Sequence, residues 1–380
     1  MNRKLGRGGD KLLFTPGPLT TSRTVKEAAL RDVGSRDTEL IELVGGIRSR
    51  LLELGGVTGG GYEVIPVQGS GTFALESVVS TTIPPDGKFL VVVNGAYGRR
   101  IAKIATVLKI PTASLTFQED ELPDLKKTRS LLEGDRAFTH LAVVHCETTT
   151  GIINPVEEIG ALASELGLAY LVDAMSSFGA VPLHLEESHV DYLVSSANKC
   201  VEGIPGFAFV IAKREKLLAT EGNARSLSLD LLAQWKGLER NGQFRFTPPT
   251  HSLLAFHQAL VELEEEGGVE GRAARYRKNY QTLVAGMRAM GFKEYLRPER
   301  QGYIITSFLY PRHRRFDFEQ FYRSLSERGC VIYPGKLSDA DCFRIGSIGH
   351  IFPDDVRALL YAIRETLHEM AVDLPLGEAR

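Results

Sequence analysis

Two side chains at the ends of apolar runs have the chemical type and the setting for reactions of amines. Lys199 follows the apolar run 192–194 and two serines, and Asp173 ends another apolar run 26 positions earlier. A lysine at the mouth of a buried strand is poorly solvated, which lowers the pKa of its amine and favours the nucleophilic form. Such an amine can form a Schiff base with an aldehyde. A lysine after a strand is more often a solvated loop residue, so the prediction depends on the second charged group, Asp173.

Further polar groups follow three earlier apolar runs, and together they indicate one cofactor. Ser70, Gly71 and Thr72 open a helix, whose free N–H groups can hold a phosphate, although such a turn often only caps a helix. Tyr97, between two glycines, could lie flat on a ring or pack at a rim, and Thr148 offers a hydroxyl. In an open parallel sheet these positions share the ligand-binding edge. These groups fit pyridoxal 5′-phosphate. A lysine can bind its aldehyde, a carboxylate can pair with its pyridine nitrogen, a helix start can hold its phosphate, and an aromatic side chain can stack on its ring.

The composition excludes several other classes of function. A formal charge of −2 over 380 residues argues against a nucleic-acid or anionic-membrane partner. No apolar run approaches the roughly 20 residues that span a bilayer, and the basic N-terminus lacks the apolar segment of a secretory signal. The four cysteines are far apart, so neither a metal site nor a disulfide framework is expected. A cytoplasmic location is therefore expected.

Apolar runs and helical periodicity alternate along the first part of the chain, which predicts an α/β fold with a mostly parallel sheet covered by helices on both faces. The strand candidates are residues 63–67, 89–93, 141–145, 168–172, 192–194 and 207–212, and the helices are 40–54, 72–82, 98–108 and 155–166. A smaller α+β lobe should follow. Its candidates are helices at 269–290, 316–328 and 353–371 and strands at 303–309, 331–333 and 343–345.

Motifs along nearly the whole chain, from about Leu12 to about Gly349, resemble the class V (fold type I) aminotransferases that use pyridoxal 5′-phosphate. The matching stretches include FTPGPLTTSRTVKEA, VQGSGTFALES, NGAYG, HCETTTGIINP, VDAMSSFG, DYLVSSANKC, FRFTPPTHSLLAF and DCFRIGSIG. The resemblance implies a large domain with a seven-stranded sheet. It also implies three parts: an N-terminal segment (1–20) at the rim of the active site, a large cofactor-binding domain (21–265) and a small C-terminal domain (266–380).

The resemblance assigns a role to each group that would hold the cofactor. Lys199 would bind the aldehyde of pyridoxal 5′-phosphate as a Schiff base and act in proton transfer. Asp173 would pair with the pyridine nitrogen. Ser70, Gly71 and Thr72 would hold the phosphate. Lys199 and Asp173 are therefore the expected catalytic residues.

Other matching positions are expected to contact the ring, the substrate or a second subunit. Tyr97 would stack on the ring, and Thr148 would face both the ring and the substrate. Arg344 would bind the anionic end of the substrate, although on its own it could be an ordinary ion-pair partner. Thr247 would reach the phosphate of the neighbouring subunit's cofactor, which implies a homodimer with shared active sites. Arg36 departs from the family pattern, in which an aromatic residue stands there.

Within this family the motifs VDAMSSFG and SSANKC resemble the branch that acts on phosphonates. The expected reaction is transfer of the amino group of 2-aminoethylphosphonate to pyruvate, giving phosphonoacetaldehyde and L-alanine. Another class V reaction, such as alanine–glyoxylate or serine–pyruvate transamination, is the alternative. A non-catalytic cofactor-binding module is a weaker one, because Lys199, Asp173 and Arg344 are all present. A cysteine desulfurase is disfavoured, because Asn198 stands where that branch commonly has histidine.

Overall fold

A computed structural model describes residues 9–377 of the chain. Strands β1 to β14 are Leu12–Leu13, Tyr62–Gln68, Lys88–Val93, Thr112–Thr116, Phe138–Val144, Cys146–Glu147, Ile152–Ile153, Ala169–Asp173, Tyr192–Ser196, Phe207–Lys213, Ile305–Leu309, Cys330–Val331, Tyr333–Pro334 and Cys342–Gly346. Helices α1 to α12 are Arg23–Ala28, Thr38–Leu54, Gly71–Thr82, Ala96–Val107, Leu125–Gly134, Val156–Glu165, Arg214–Leu218, Leu231–Asn241, Thr250–Glu265, Gly268–Ala289, Phe318–Glu327 and Pro353–Glu369.

The larger sheet has seven strands in the order β2-β10-β9-β8-β5-β3-β4. All of its pairs are parallel except those of β10, which runs antiparallel to both β2 and β9. The central strands are buried along almost their whole length, because helices cover both faces of the sheet. The predicted α/β class and the mostly parallel seven-stranded sheet are therefore confirmed.

Strand β4 is the one strand of this sheet that no apolar run predicts. Its sequence, TASLT, is short and largely polar, and several of its side chains are partly exposed. It pairs with β3 at the edge of the sheet, from Phe89 opposite Thr112 to Val93 opposite Thr116. An edge strand has only one neighbour and needs less apolar surface, so backbone pairing decides its formation more than its side chains do.

The smaller lobe holds a three-stranded antiparallel sheet in the order β11-β14-β13. Its core is a separate apolar cluster in which the Phe343 ring packs against Phe292, Phe308 and Phe321. The single strand predicted at 331–333 is instead two short strands, because the chain changes partners at Ile332. Strand β12 pairs in parallel with β1, whereas β13 pairs with β14.

The pairing of β1 with β12 attaches the N-terminal segment to the smaller lobe. The predicted domain bounds stay predictions, and positions 1–8 and 378–380 of the two terminal parts lie outside the described residues. The four cysteines are all buried and none is in a disulfide. Within residues 9–377, no helix combines the length and the apolar character that crossing a membrane requires.

Candidate active site

Lys199 lies just beyond the carboxyl end of β9, as its sequence position predicts. Its Nζ donates a hydrogen bond to the carbonyl oxygen of Pro16 at 2.8 Å. Burial lowers the pKa of the Lys199 amine below its ordinary value, and the nearby Tyr97 and Asp173 only partly oppose that shift. The environment therefore shifts the amine towards its neutral form, which is the form that attacks carbonyl groups.

The N-terminal segment closes directly over this lysine. Gly17 adopts a φ of +125°, a conformation that side chains with a Cβ rarely adopt. A Cβ added there would overlap the end of the Lys199 side chain. Glycine is thus required at position 17 both by the backbone conformation and by the closeness of the amine.

Asp173 ends strand β8, next to β9, and its side chain is buried. Its Oδ1 accepts a hydrogen bond from the backbone N–H of Met175 at 2.9 Å. No donor within residues 9–377 is hydrogen-bonded to Oδ2. Burial raises the pKa of this carboxyl group to about 7, with the nearby Glu147 contributing in the same direction. A buried carboxyl group with a free oxygen is suited to pairing with a cationic N–H group.

Ser70, Gly71 and Thr72 form the start of the 12-residue helix α3, close to Asp173 in the fold. Ser70 is the N-cap residue, and its hydroxyl makes no capping hydrogen bond. A Cβ on Gly71 would overlap the sulfur of Met175, two residues after Asp173. The hydroxyl of Thr72 accepts a hydrogen bond from Arg100 at 3.3 Å. Backbone N–H groups, hydroxyls and an arginine together suit a phosphate group.

Tyr97 lies in the first turn of α4, where two cations approach its ring. Lys336 Nζ lies 4.4 Å from the ring centroid, and the Arg100 guanidinium carbon lies 4.9 Å from it. Burial would raise the pKa of the Tyr97 phenol, but a hydrogen bond with Thr148 and the charge of Lys336 lower it overall. The structure thus places Tyr97 and Thr148 in contact, and the stacking of Tyr97 on a cofactor ring stays a prediction.

Arg344 lies in the middle of β14 and is only 5% exposed. Its Nε donates to the carbonyl of Pro334 at 3.0 Å, and its Nη1 donates to the carbonyl of Thr148 at 2.9 Å. No carboxylate in the described part of the chain forms an ion pair with it, and its Nη2 has no hydrogen-bond partner there. A buried guanidinium held by carbonyls and lacking a counter-ion is suited to an anionic ligand, which disfavours the ordinary ion-pair interpretation.

Thr247 is exposed, unlike most of the predicted site residues. Its carbonyl oxygen accepts a hydrogen bond from the side chain of Gln68, which closely precedes the start of α3. It therefore lies towards the phosphate end of the site. Its contact with a neighbouring subunit's cofactor concerns a second chain and stays a prediction. Arg36 is exposed as well.

Three charged residues at the site were missed by the sequence reasoning: Arg100, Lys336 and Glu147. The side chain of Glu147 is fully buried and accepts hydrogen bonds from the Thr149 hydroxyl at 2.7 Å and from the backbone N–H groups of Tyr97 and Gly98. Burial raises the pKa of this carboxyl group. Glu147 thereby holds the start of α4, and so the position of Tyr97. The only sequence signal was its place in the HCETTTG motif.

Comparison with known proteins places this arrangement in a family. The model of aminotransferase class V matches residues 21–339. A 2-aminoethylphosphonate–pyruvate transaminase of Syntrophobacter fumaroxidans is 52% identical over 94% of this chain and 96% of its own length. The enzyme of that name from Salmonella heidelberg is 51% identical over 94% of this chain and 98% of its own.

The chain belongs to the class V aminotransferases. Solved structures of similar fold include an alanine–glyoxylate aminotransferase from Nostoc, with a TM-score of 0.86 at 27% identity over 95% of this chain and 96% of that one. A ureidoglycine–glyoxylate aminotransferase from Bacillus subtilis has a TM-score of 0.87 at 21% identity over 97% and 96% of the two chains. The predicted family and the fold type I architecture are confirmed.

Class V aminotransferases depend on pyridoxal 5′-phosphate, and the residues of this site fit that group. The free Oδ2 of Asp173 suits a pyridinium N–H, and the buried Lys199 amine suits the aldehyde. The uncapped start of α3 suits the phosphate. The predicted residues Ser70, Gly71, Thr72, Asp173 and Lys199 thus lie in an arrangement that matches the chemistry of the cofactor.

A buried network of charges holds the loop that carries Lys199. Glu202 is 2% exposed and has a φ of +68°, an unfavourable conformation for a residue other than glycine. Its backbone N–H donates to the Lys199 carbonyl at 2.7 Å, and its carboxylate accepts from the Tyr276 hydroxyl at 2.5 Å and from Arg275 at 2.9 Å. Arg272 donates to the Cys200 carbonyl at 2.5 Å. These contacts fix the lysine loop against helix α10.

Asp173→Asn should stabilise the cofactor-free protein at pH 8 and change it little near pH 4. Burial raises the pKa of the folded-state carboxyl group to about 7, from roughly 3.9 in the unfolded chain. Wild-type stability therefore falls as pH rises through this window, because the unfolded state releases a proton that the folded state retains. We expect a gain of roughly 1–3 kcal/mol in the free energy of unfolding at pH 8, measured by urea denaturation. Exposed Asp86→Asn is the control, and destabilisation of the Asp173 variant at pH 8 would contradict the argument.

Tyr276→Phe should destabilise the protein, because it removes a hydroxyl that serves two buried partners. This hydroxyl donates to Glu202 and accepts from the backbone N–H of Gly349 at 3.1 Å. Leaving both groups unpaired should cost roughly 1–3 kcal/mol, seen as a lower midpoint of urea denaturation. Tyr361→Phe removes the same atom from a side chain that is 65% exposed and should have almost no effect. Equal effects of the two variants would show that the network contributes nothing.

Proposed function

We propose that this protein uses pyridoxal 5′-phosphate to transfer the amino group of 2-aminoethylphosphonate to pyruvate, giving phosphonoacetaldehyde and L-alanine. The observation that carries the proposal is Arg344, a buried cation without a carboxylate partner in residues 9–377, held against Thr148 on the side of the site where Tyr97 lies. Identity of about half over nearly the full length to enzymes named for this reaction supports the choice of substrates. The family and the fold alone leave several amino donors open.

The residues of this chain that would hold the cofactor divide by the part of it that they contact. Lys199 would bind the aldehyde, Asp173 the pyridine nitrogen, and the start of α3 the phosphate, with Thr72 and Arg100 alongside. When bound, pyridoxal 5′-phosphate supplies a carbonyl carbon for the substrate nitrogen and a ring that accepts electron density. Paired with the ring nitrogen, whose positive charge would lower the pKa of its carboxyl group, Asp173 would be ionised and would favour that electron flow.

Lys199 lies where a base is needed, and the pKa of its amine is lowered. Its lowered pKa leaves a larger share of the amine neutral near pH 7 than a surface lysine has. We infer that Nζ would take the proton from the substrate carbon that bears the nitrogen and return it at the carbon of the cofactor's aldehyde. It would move a proton in the opposite direction when pyruvate reacts. The hydrogen bond to the Pro16 carbonyl holds the amine while it is free.

Arg344 would bind each substrate in turn by its anionic end. The phosphonate of the donor and the carboxylate of pyruvate both match a guanidinium group, which presents two parallel N–H donors. One cationic site that serves both substrates implies that the first product leaves before the second substrate binds. The kinetics would then be of the ping-pong type.

The assembly proposed is a homodimer in which Thr247 of one subunit reaches the cofactor phosphate of the other. Two large apolar side chains near the Gln68–Thr247 contact support an interface there, because Phe73 is 53% exposed and Phe246 is 45% exposed. A cytoplasmic location is also proposed. Four buried free thiols are compatible with a reducing compartment.

The purified wild-type enzyme with pyruvate as acceptor should form alanine fastest from 2-aminoethylphosphonate. The matched donors are β-alanine, which replaces the phosphonate by a carboxylate, and the α-amino acids serine and glutamate. We expect kcat/KM for the phosphonate to exceed that for each other donor by at least about tenfold, the value of one good charged contact. A clear preference for an α-amino acid would instead favour the alanine–glyoxylate or serine–pyruvate alternative.

Lys199→Ala should abolish turnover, because it removes both the cofactor anchor and the base. A loss of roughly a thousandfold or more in the rate of alanine formation is expected. Borohydride treatment of the wild-type enzyme should fix the cofactor to the peptide that contains Lys199, and the variant should fix none. Lys103→Ala, on the exposed face of α4, is the control and should keep full activity. Comparable turnover by the Lys199 variant would disprove the assigned role.

A further inference from the structure

Two cations reach the site from the smaller sheet, one on strand β14 and one in the loop that follows β13. Strand β13 pairs with β14, with Tyr333 opposite Arg344, and the Nε of Arg344 donates to the carbonyl of Pro334 at 3.0 Å. Lys336 follows two residues after Pro334, and its Nζ lies 4.4 Å from the Tyr97 ring centroid. The two cations therefore converge on one corner of the site from the same side.

Tyr97 and Thr148 form that corner. The phenol of Tyr97 shares a hydrogen bond with the Thr148 side chain, and the carbonyl of Thr148 accepts from Nη1 of Arg344 at 2.9 Å. Lys336 thus contacts one member of this pair of residues, Tyr97, and Arg344 contacts the other, Thr148. The charges of Lys336, Lys199 and Arg344 each lower the pKa of the Tyr97 phenol, so all three cations lie near it.

The loop that carries Lys336 is docked onto the larger domain and is not a free surface loop. Gly335 donates its N–H to the carbonyl of Cys342 at 2.9 Å. Ser338 donates both its backbone N–H and its hydroxyl to the carboxylate of Glu119, each at 3.0 Å. Glu119 is 7% exposed and also pairs with Arg99. Lys336 lies between these two anchored points, so the backbone that carries it is held close to Tyr97.

Lys336 has no competing counter-ion. Among residues 9–377 no carboxylate lies within ion-pair distance of it, whereas Lys26, Lys88 and Lys236 each pair with an acidic residue. Its contact with the Tyr97 ring is a weak one that an oxyanion can replace, because a charge-assisted hydrogen bond is stronger. Arg100 also lies over the ring, but it is hydrogen-bonded to Thr72 at the phosphate end of the site.

We propose that Lys336 and Arg344 together form a two-cation clamp for the phosphonate of the donor, and that Lys336 is the residue that selects phosphonate over carboxylate. The proposal rests on the proposed function and deepens it. A phosphonate, like a phosphate monoester, has two ionisable protons and carries two negative charges once both are lost, whereas a carboxylate carries one. Arg344 alone neutralises a carboxylate. A dianion leaves one further charge, which Lys336 is placed to neutralise.

The test separates charge from shape with three non-reactive probes on the holoenzyme. All three are measured above the second pKa of an alkylphosphonic acid, where ethylphosphonate is a dianion, its monomethyl ester is a monoanion of nearly the same shape, and propionate is a planar monoanion. Each is measured as a competitive inhibitor against 2-aminoethylphosphonate. In Lys336→Gln we expect ethylphosphonate to bind roughly tenfold to a hundredfold more weakly, and the ester and propionate to change by less than about threefold.

The two half-reactions give a second readout that a general loss of structure would not produce. Lys336→Gln should lower kcat/KM for 2-aminoethylphosphonate by a similar tenfold to hundredfold, with that for pyruvate nearly unchanged. Lys336→Arg, which keeps the charge, should retain the preference. Arg344→Met should weaken all three probes and both substrates, and Lys103→Gln is the surface control.

The possible failures are distinguishable. If the wild-type enzyme neither uses 2-aminoethylphosphonate nor binds ethylphosphonate, the proposed function is wrong and the clamp fails with it. If the wild type behaves as expected but Lys336→Gln changes dianion and monoanions equally, or changes none of them, only the clamp is overturned.

Discussion

The site depends on the removal of charged groups from water without full neutralisation by the protein. Lys199, Asp173 and Arg344 are all largely buried, and none of them forms an ion pair with another side chain of the described residues. Burial of an uncompensated charge costs several kcal/mol, so the fold must recover that free energy elsewhere or from a ligand. Each group is therefore a position where a bound partner of opposite charge, or a change of protonation, is favourable. A fully paired site would lack this affinity.

Contacts in the surrounding structure offset the unfavourable free energy of these buried groups. The Lys199 loop is held by Glu202, whose carboxylate two arginines and a tyrosine contact. The same Tyr276 hydroxyl accepts from Gly349, three residues beyond the end of the strand that carries Arg344. The loop that carries Lys199 and the segment that follows the strand of Arg344 are thus linked through one buried hydroxyl. The positive φ of Glu202 is unfavourable, but these contacts hold the backbone in that conformation. Such residues are common beside active sites.

The site residues that could be predicted from the sequence are those whose position follows from the secondary structure of neighbouring residues. A continuous apolar run indicates a buried parallel strand, and the residues at the end of such a strand lie at the ligand-binding edge of the sheet. The positions of Lys199 and Asp173 could therefore be predicted from the sequence. Arg100, Lys336 and Glu147 could not, because each is near the site only through tertiary packing. Lys336 follows a two-residue strand, and its direction depends on Ser338 and on a carboxylate more than 200 positions earlier in the chain. Strand β4 was missed because its pairing, not its side chains, defines it.

The two sheets contribute different groups to the site, and this separation matters for substrate specificity. The groups suited to the cofactor come from the ends of the large parallel sheet and the helices that follow them. The cations suited to the substrate, Arg344 and Lys336, come from the small antiparallel sheet. The small sheet has its own apolar core, separate from that of the large sheet. The two sets of groups meet at Tyr97 and Thr148, because Lys336 lies over the Tyr97 ring and Arg344 donates to the Thr148 carbonyl. A change of either cation should therefore alter the binding of an anion directly, and act on the groups of the large sheet only through these two residues.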